Sequence, residues 1–451
     1  MANSGAPFVV LASLYPPSSA LKTRLVPPFG LMMVGAALLR SGIRCAIMHR
    51  EWNDETKRVL ADVCRKAITV GFYTITGESI LPTLEASRLV KEAGVKVVWG
   101  GPHATLLPEV CLGSEDCVDI VVRGEGEISL PKLVWLLDQG GDVAAVPGVC
   151  LRGPNHQLII GPIPPLISGE DLLPPDWDLA NVEDYLTGNY FGSGLKQNHL
   201  NRVLPLITSK GCKHNCAFCY NVTVNRRRFR GFNTPGVVDG IVAVRDRYMI
   251  DGFHIYDDCF FTDERRAYTI LEALKRPFFA ETRIDMIDEN TLAKLAGLGC
   301  HTLYVGVETG SDKMLKLIGK RISSSDCVAA ASMASKYGIA LQMSLMVCMP
   351  DETVEDVIQT HRLVQRLKQL DSVFLDGPKF FDPYPGTRFY RRMIALGWSP
   401  PRTNEAWARI TRHTDPIVFA PAIPEDVRKA AIELFPGITR GAAPATYDGR
   451  D

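Results

Sequence analysis

The sequence has no excess of either charge: Lys plus Arg and Asp plus Glu each number 50 in 451 residues. No net field draws the chain toward nucleic acid or an anionic membrane, so neither is expected as a partner and a small-molecule or peptide substrate is favoured. It also lacks any run of the roughly 20 apolar residues that a spanning helix needs. The first residues, MANSGAPFVVLASLYPP, have neither a basic stretch nor a long apolar core, which excludes an export signal of the usual kind and leads us to expect a cytoplasmic protein. There is no low-complexity tract, and no internal repeat beyond an alternation of strand-like and helix-like stretches, so a repeat array is excluded. Cysteine is sparse. Nine of the twelve stand singly, at Cys45, Cys64, Cys111, Cys117, Cys150, Cys259, Cys300, Cys327 and Cys348, and in a chain without an export signal these read as reduced and packed rather than as a disulfide framework.

The length allows about two or three domains. From Phe8 to about Leu137, short β-branched runs alternate with longer helical ones, the pattern of a parallel sheet covered by helices. Its strands read as FVVLAS, IRCAIM, AITVGFY, VKVVWG and DIVVRG. The loops after their C-terminal ends carry Thr74 to Thr76, Gly100 to His103 and Gly124 to Glu127, on the edge where an open α/β sheet forms its ligand crevice. Gly100 and Gly101 also fit plain turn chemistry. The Pro-rich stretch GPIPPLISGEDLLPPDWD, Gly161 to Asp178, reads as linker, because proline fixes φ and removes a donor. A second alternation then starts near Arg202, with strands in RVLPLITS, GFHIYDD, FFAETR, HTLYVGVE, IALQMSLMV and SVFLDGPKF. Such β/α units read as a barrel or partial barrel with chemistry at the strand C-terminal ends. The boundaries expected are 1–150 for the first domain, 151–200 for the linker, 201–386 for the barrel, and 387–451 for a mainly helical segment ending in a frayed tail, GAAPATYDGRD.

The three remaining cysteines, Cys212, Cys216 and Cys219, crowd into SKGCKHNCAFCYN just after the first barrel strand. Three close thiolates suit an iron-sulfur cluster or zinc. Zinc generally closes with four protein ligands, and His214 is the one immediate candidate. A 4Fe-4S cluster on three thiolates leaves one iron open, as a catalytic site requires.

CKHNCAFCY resembles the signature of the radical S-adenosylmethionine (SAM) family. That resemblance implies SAM chelating the open iron, and an electron, from an external donor such as flavodoxin or ferredoxin, cleaving it to a 5′-deoxyadenosyl radical. YDDCFFTD resembles the strand-two element and would bring Asp257 and Asp258 to the SAM ammonium; LYVGVETGS resembles strand four and would offer Glu308. MVCMPDET and FFDPYPGT resemble strands five and six, and Phe218 fills the aromatic slot beside adenine. Read without the family, Asp257 and Asp258 suit a helix N-cap, Glu308 a structural ion pair, and Phe218 packing. Cys348 and Asp351 depart from the family, standing where glycine is usual.

The order PPFGLMMVGAALLRSGI, VGFYTIT, VVWGGPHAT and VVRGEGEISL resembles the Rossmann-like (flavodoxin-like) cobalamin-binding domain fused ahead of many radical SAM enzymes. The implied tail site lies near Thr74, Thr76, Gly100, Gly101, Pro102 and His103, with Gly124 and Glu125 on the next loop. The loop after strand one has no Asp-x-His-x-x-Gly, so base-off cobalamin without a protein histidine is expected; His103 belongs to a turn common to the class. Together the resemblances imply an α/β chain, a cobalamin domain followed by a (β/α)6 partial barrel, with three cofactors: a 4Fe-4S cluster, SAM and cobalamin. The activity implied is a C-methyltransferase in natural-product or peptide biosynthesis, methylating through cobalamin at a cavity shared by the two domains. The alternatives are rearrangement, ring contraction or oxidation with a silent cobalamin domain, or a non-enzymatic sensor. NRRRFR, Asn225 to Arg230, reads as a solvated run or as a grip on a substrate anion, and Tyr185, Tyr190, Asp382 and Tyr384 are candidates for holding substrate.

Overall fold

The computed structural model describes residues 6–17, 25–114, 116–186, 200–410 and 416–438. Tyr190 and the tail from 441 lie outside them. The chain forms two compact units, residues 1–184 with 401–411, and residues 185–400 with 412–451.

The first unit is built on β1 (Phe8–Tyr15), β2 (Arg44–Glu51), β3 (Thr69–Tyr73), β4 (Lys96–Gly100), β5 (Ile120–Val122), β6 (Val149–Arg152) and β7 (Leu158–Ile160). They form one sheet in the order β2-β1-β3-β4-β5-β6-β7. The first five strands are parallel and are those read from the sequence. Helices on both faces bury side chains of both parities, which is why these strands read as continuous apolar runs: Val97, Val98 and Trp99 on β4 are all at most 2% exposed. Trp99 satisfies its one polar atom by donating Nε1–H to Ser87 Oγ at 2.9 Å. The strand order reverses between β1 and β3, so the loops after those two strands flank the crevice where such sheets take ligands. β6 and β7 add an antiparallel hairpin on the β5 edge, in VCLR and LII, runs too short for periodicity to reveal. Residues 401–411 also belong to this unit: Arg88 Nη2 lies 3.3 Å from Glu405 Oε1, and Trp407 is fully buried.

The second unit carries β8 (Val203–Leu206), β9 (Ser209–Lys210), β10 (Arg230–Gly231), β11 (Gly252–Ile255), β12 (Phe278–Thr282), β13 (Cys300–Glu308), β14 (Ala340–Val347) and β15 (Val373–Phe380). Six of these form a parallel sheet in chain order, β8-β11-β12-β13-β14-β15, with a helix in every connection. That is a (β/α)6 partial barrel. Capping boxes at Ser323 and Thr353 fix the starts of two of those helices. On β13 the alternate residues Leu303, Val305 and Val307 are fully buried, while Tyr304 and Gly306 face the concave side. Tyr304 Oη reaches Asp376 Oδ2 at 2.8 Å, across β14. Closed barrels fill this interior with branched apolar side chains. Here Tyr304 and Asp376 meet in it, with Lys379 Nζ 2.6 Å from the same carboxylate.

Candidate active site

The three clustered cysteines lie on the loop that follows β9, at the C-terminal end of the barrel strands. Gly211 opens the loop with φ +83°, and a Cβ there would lie 2.1 Å from Arg228 O, so only glycine fits. Asp257 and Asp258, directly after β11, hold the loop from beneath. Asp257 is fully buried: Oδ1 accepts the Thr208 amide at 2.6 Å, Oδ2 accepts the Thr208 and Ser209 hydroxyls at 2.6 and 2.5 Å, and Arg266 Nη1 stands 3.9 Å away. Burial still raises its pKa against those partners. Asp258 accepts the Gly211 amide at 2.8 Å through Oδ2 and the Asn221 amide group through Oδ1. From Asn221 the network runs to Asn225 and on to Arg230 Nη2, 2.8 Å from Asn225 Oδ1. Arg230 is thereby buried, while Arg226, Arg227 and Arg228 are exposed. Neither aspartate caps a helix; the cap of Glu264–Leu274 is Asp263.

The middle of the loop is pinned at Ala217, whose amide donates to Ile318 O at 2.8 Å and whose carbonyl accepts the Phe389 amide at 3.0 Å. Cys212, Cys216, Cys219 and Phe218 are all half-buried, and every cysteine of the chain is a free thiol. Burial pushes Cys219 up to about 12. Cys216 is raised by burial, against the opposing charges of Lys320 and Arg283. Cys212 is raised first by its hydrogen bond with Cys259 and then by burial. These thiols therefore hold protons that a metal must displace on binding. Cys212, His214 and Cys259 offer ligand atoms within 4.8 Å of one another, and His214 Nε2 is buried without a partner.

Glu308, the last residue of β13, has φ +72° and is 5% exposed. Lys320 Nζ pairs with its Oε1 at 2.6 Å and also donates to Gly306 O. A Cβ on Gly306 would lie 2.1 Å from that Oε1, so the glycine makes room for the pair. After β14, Cys348 and Asp351 have φ of +63° and +66°. The two positions where glycine was expected thus adopt the backbone that glycine favours, and Asp351 is held by Arg392 through bonds of 2.8 and 2.6 Å.

Three residues with a bearing on this site did not stand out in the sequence. Cys259 reads there as a solitary thiol, although it directly follows Asp258. Glu281 and Arg283 share a parity at the end of β12, a signal visible only once that strand's inward face is known. Burial, with the charges of Asp258, Asp257 and Asp376, pushes Glu281 up to about 8.

In the first unit the candidates gather at the ends of β3, β4 and β5. Thr74 is fully buried, its hydroxyl donating to Gly100 O at 2.8 Å, and Gly101 has φ +94° with Thr74 O 2.7 Å from where a Cβ would be. Pro102 is the first residue of the short helix Pro102–Leu106. His103 is fully buried, with Thr76 Oγ1 3.0 Å from Nδ1 and Asn404 Oδ1 3.2 Å from Nε2, leaving neither nitrogen for a metal. Burial lowers it to about 4, against the Asn404 bond. Gly124 has φ +80°, and Glu125 Oε2 accepts the Ile167 amide at 2.7 Å, tying down the Pro-rich segment. Gly100 is different: a Cβ there would meet nothing nearer than Val122 O at 3.7 Å, an ordinary contact, so the fold itself does not require glycine.

Residues 206–364 match the family model of the radical SAM superfamily, and residues 23–134 that of the B12 binding domain. An uncharacterized methyltransferase of Pyrococcus horikoshii is 31% identical over 86% of the chain and 83% of its own length. Cytidylyl-2-hydroxyethylphosphonate methyltransferase of Streptomyces wedmorensis is 27% identical over 74% of the chain and 67% of that relative. Among solved structures, the radical SAM methyltransferase TsrM from Kitasatospora setae, with tryptophan and a SAM analogue bound, shares the fold with a TM-score of 0.67 at 18% identity, covering 88% of this chain and 78% of TsrM. A loop of three free thiols hydrogen-bonded into place at the barrel's C-terminal end has the donor set for a 4Fe-4S cluster with SAM, and the match to the B12 binding domain implies cobalamin in the first unit. The chain belongs to the radical SAM enzymes that carry an N-terminal B12-binding domain.

Proposed function

We propose that this enzyme transfers a methyl group from SAM, by way of cobalamin, to a carbon of a small-molecule or peptide substrate. The observation that carries the reading is the cysteine loop hung on Asp257 and Asp258, in a chain 31% identical to a methyltransferase. When bound, the cluster supplies one-electron reduction of SAM and cobalamin supplies a transferable methyl group.

The chain's own residues then have distinct tasks. Cys212, Cys216 and Cys219 hold the cluster, with Phe218 beside the adenine of SAM. Glu308, steadied by Lys320, offers a carboxylate to SAM, and Asp258 keeps the loop in register beneath it. In the first unit Gly100, which the fold itself does not require to be glycine, stands beside the nucleotide tail, while Thr74 and Gly101 shape the turn next to it. Thr76 and His103 brace that turn. No helix among the described residues is long and apolar enough to cross a membrane. We place the enzyme in the cytoplasm, reduced by flavodoxin or ferredoxin.

The test is to reconstitute the protein anaerobically with iron, sulfide and hydroxocobalamin, then desalt it. Retained corrin absorbance is expected, and turnover with substrate should yield S-adenosylhomocysteine and 5′-deoxyadenosine together. Absence of bound corrin would overturn the methyltransferase reading. Bound corrin with 5′-deoxyadenosine alone would move it to rearrangement or oxidation.

A further inference from the structure

Two side chains outside the cysteine triplet stand beside its sulfurs. Arg283, one residue past β12 and 8% exposed, spends two of its N–H groups on Asp285, Nε to Oδ1 at 2.7 Å and Nη2 to Oδ2 at 2.8 Å. That grip aims its remaining arm, Nη1, at Cys216 Sγ, 3.6 Å away. Cys259 is fully buried immediately after Asp258, with its sulfur in the 4.8 Å group formed with Cys212 and His214, and 3.5 Å from Met286 Sδ. Both contacts are built into the scaffold, since Asp258 anchors the loop and Asp285 anchors the arginine.

The direction of each hydrogen bond follows from chemistry. A guanidinium has donors and no acceptor, so Arg283 can only give to Cys216. Once Cys212 binds iron it is a thiolate with no proton to offer, so a hydrogen bond between the two is given by Cys259, whose single S–H turns to it from Met286 Sδ. Hydrogen bonds to ligand sulfurs are among the factors that set an iron-sulfur potential, because they stabilise the negative charge that an added electron spreads onto the thiolates. Two such donors raise the potential, making the cluster easier to reduce.

We propose that Cys259 and Arg283 are positioning residues that hydrogen-bond the Cys212 and Cys216 thiolates and set the reduction potential of the cluster. The proposal rests on the reading that Cys212, Cys216 and Cys219 hold that cluster. Cys259 is not assigned as a fourth ligand, because sulfurs on different irons of one cubane stand farther apart than the Cys212 and Cys259 sulfurs do here.

The experiment compares reconstituted wild type with Cys259→Ala, Cys259→Ser, Arg283→Met and Arg283→Lys, measuring iron and sulfide content and then the midpoint potential by EPR-monitored redox titration without SAM. About four irons per chain are expected in every variant. Cys259→Ala and Arg283→Met should each titrate at a more negative potential than wild type. Cys259→Ser and Arg283→Lys, which keep a donor, should recover part of that shift. Unchanged potentials at full iron content would overturn the proposal. So would loss of iron confined to Cys259→Ala, which would make Cys259 a ligand. Failure of wild type itself to hold iron would instead sink the cluster reading on which the proposal stands.

Discussion

Asp258 Oδ2 accepts the Gly211 amide at 2.8 Å, so a carboxylate at the end of one barrel strand carries the loop that follows another. Gly211 is at φ +83°, one of many conformations open to glycine, so the bond to Asp258 is needed to select it. Asp258→Ala should therefore lower iron content after reconstitution while costing the cluster-free fold only about 1–3 kcal/mol, the loss of a charged acceptor. Asp257→Ala should be worse, about 3–5 kcal/mol, since it takes from buried Arg266 the first of its two counter-charges, leaving Asp263. Urea denaturation and iron assays check both. Wild-type iron content in Asp258→Ala would remove the aspartate from any role in holding the loop.

Glu308 and Lys320 form a buried pair at 2.6 Å. Removing one partner strands the other charge, so Glu308→Ala and Lys320→Ala should each destabilise by about 3–5 kcal/mol, with the double variant losing clearly less than their sum. Glu308→Gln should in addition weaken SAM about tenfold, the loss of a charged contact of ~1.5 kcal/mol. Equilibrium dialysis of the reconstituted protein separates the two effects. A destabilised variant with wild-type SAM affinity would leave Glu308 a purely structural residue.

Gly100 and Gly101 should behave differently although they are adjacent. Gly101→Ala forces a Cβ into φ +94° and against Thr74 O, a strain of roughly 1–3 kcal/mol visible in thermal melts. Gly100→Ala meets no such obstacle. Gly100→Leu should place its side chain where the nucleotide tail is proposed to run, expelling cobalamin while iron content stays at the wild-type level. Corrin absorbance that survives Gly100→Leu would place the nucleotide tail elsewhere.

Glu352 gives the stability a pH dependence. It is 2% exposed, one carboxyl oxygen has no partner, and burial raises its pKa from 4.5 to about 8, with Asp356 adding to the rise and Lys313 opposing it. Between those two values the folded state holds a proton that the unfolded state has lost, so this group's contribution to stability is complete below 4.5, falls as pH rises and is gone above about 8. Glu352→Gln, which keeps an acceptor for the Met349 amide at 3.1 Å, should lack that slope and melt higher than wild type at alkaline pH. Parallel pH profiles of Tm for the two proteins would contradict this.

Legibility in the sequence followed the range of the interaction. All eleven strands read from β-branched runs are present, because burial on both faces of a parallel sheet writes itself into contiguous residues. The short antiparallel strands β6 and β7 carry no such record. The same contrast holds in the site. Cys212, Cys216 and Cys219 are legible because they share one loop, and Glu308 reads as an ion-pair member, although nothing local to it names Lys320 as the partner. Asn404 and His103 are 301 positions apart, and nothing local to either announces their bond.

The sequence by itself determined the two alternating α/β regions, the thiol triplet at a strand end, and the class of chemistry that such a triplet serves, since each depends on neighbours within a few residues. Only the tertiary structure decided what the carboxylates do. Asp257 and Asp258 turn their oxygens to the cysteine loop because the curl of the barrel sets the end of β11 beneath β9, and that same curl carries Arg283 to Cys216 and Cys259 to Cys212. Those contacts join residues 47 to 67 positions apart. A hydrogen bond fixes only the place where two chain segments meet, and where they meet is set by the order in which six strands lie side by side in the open sheet.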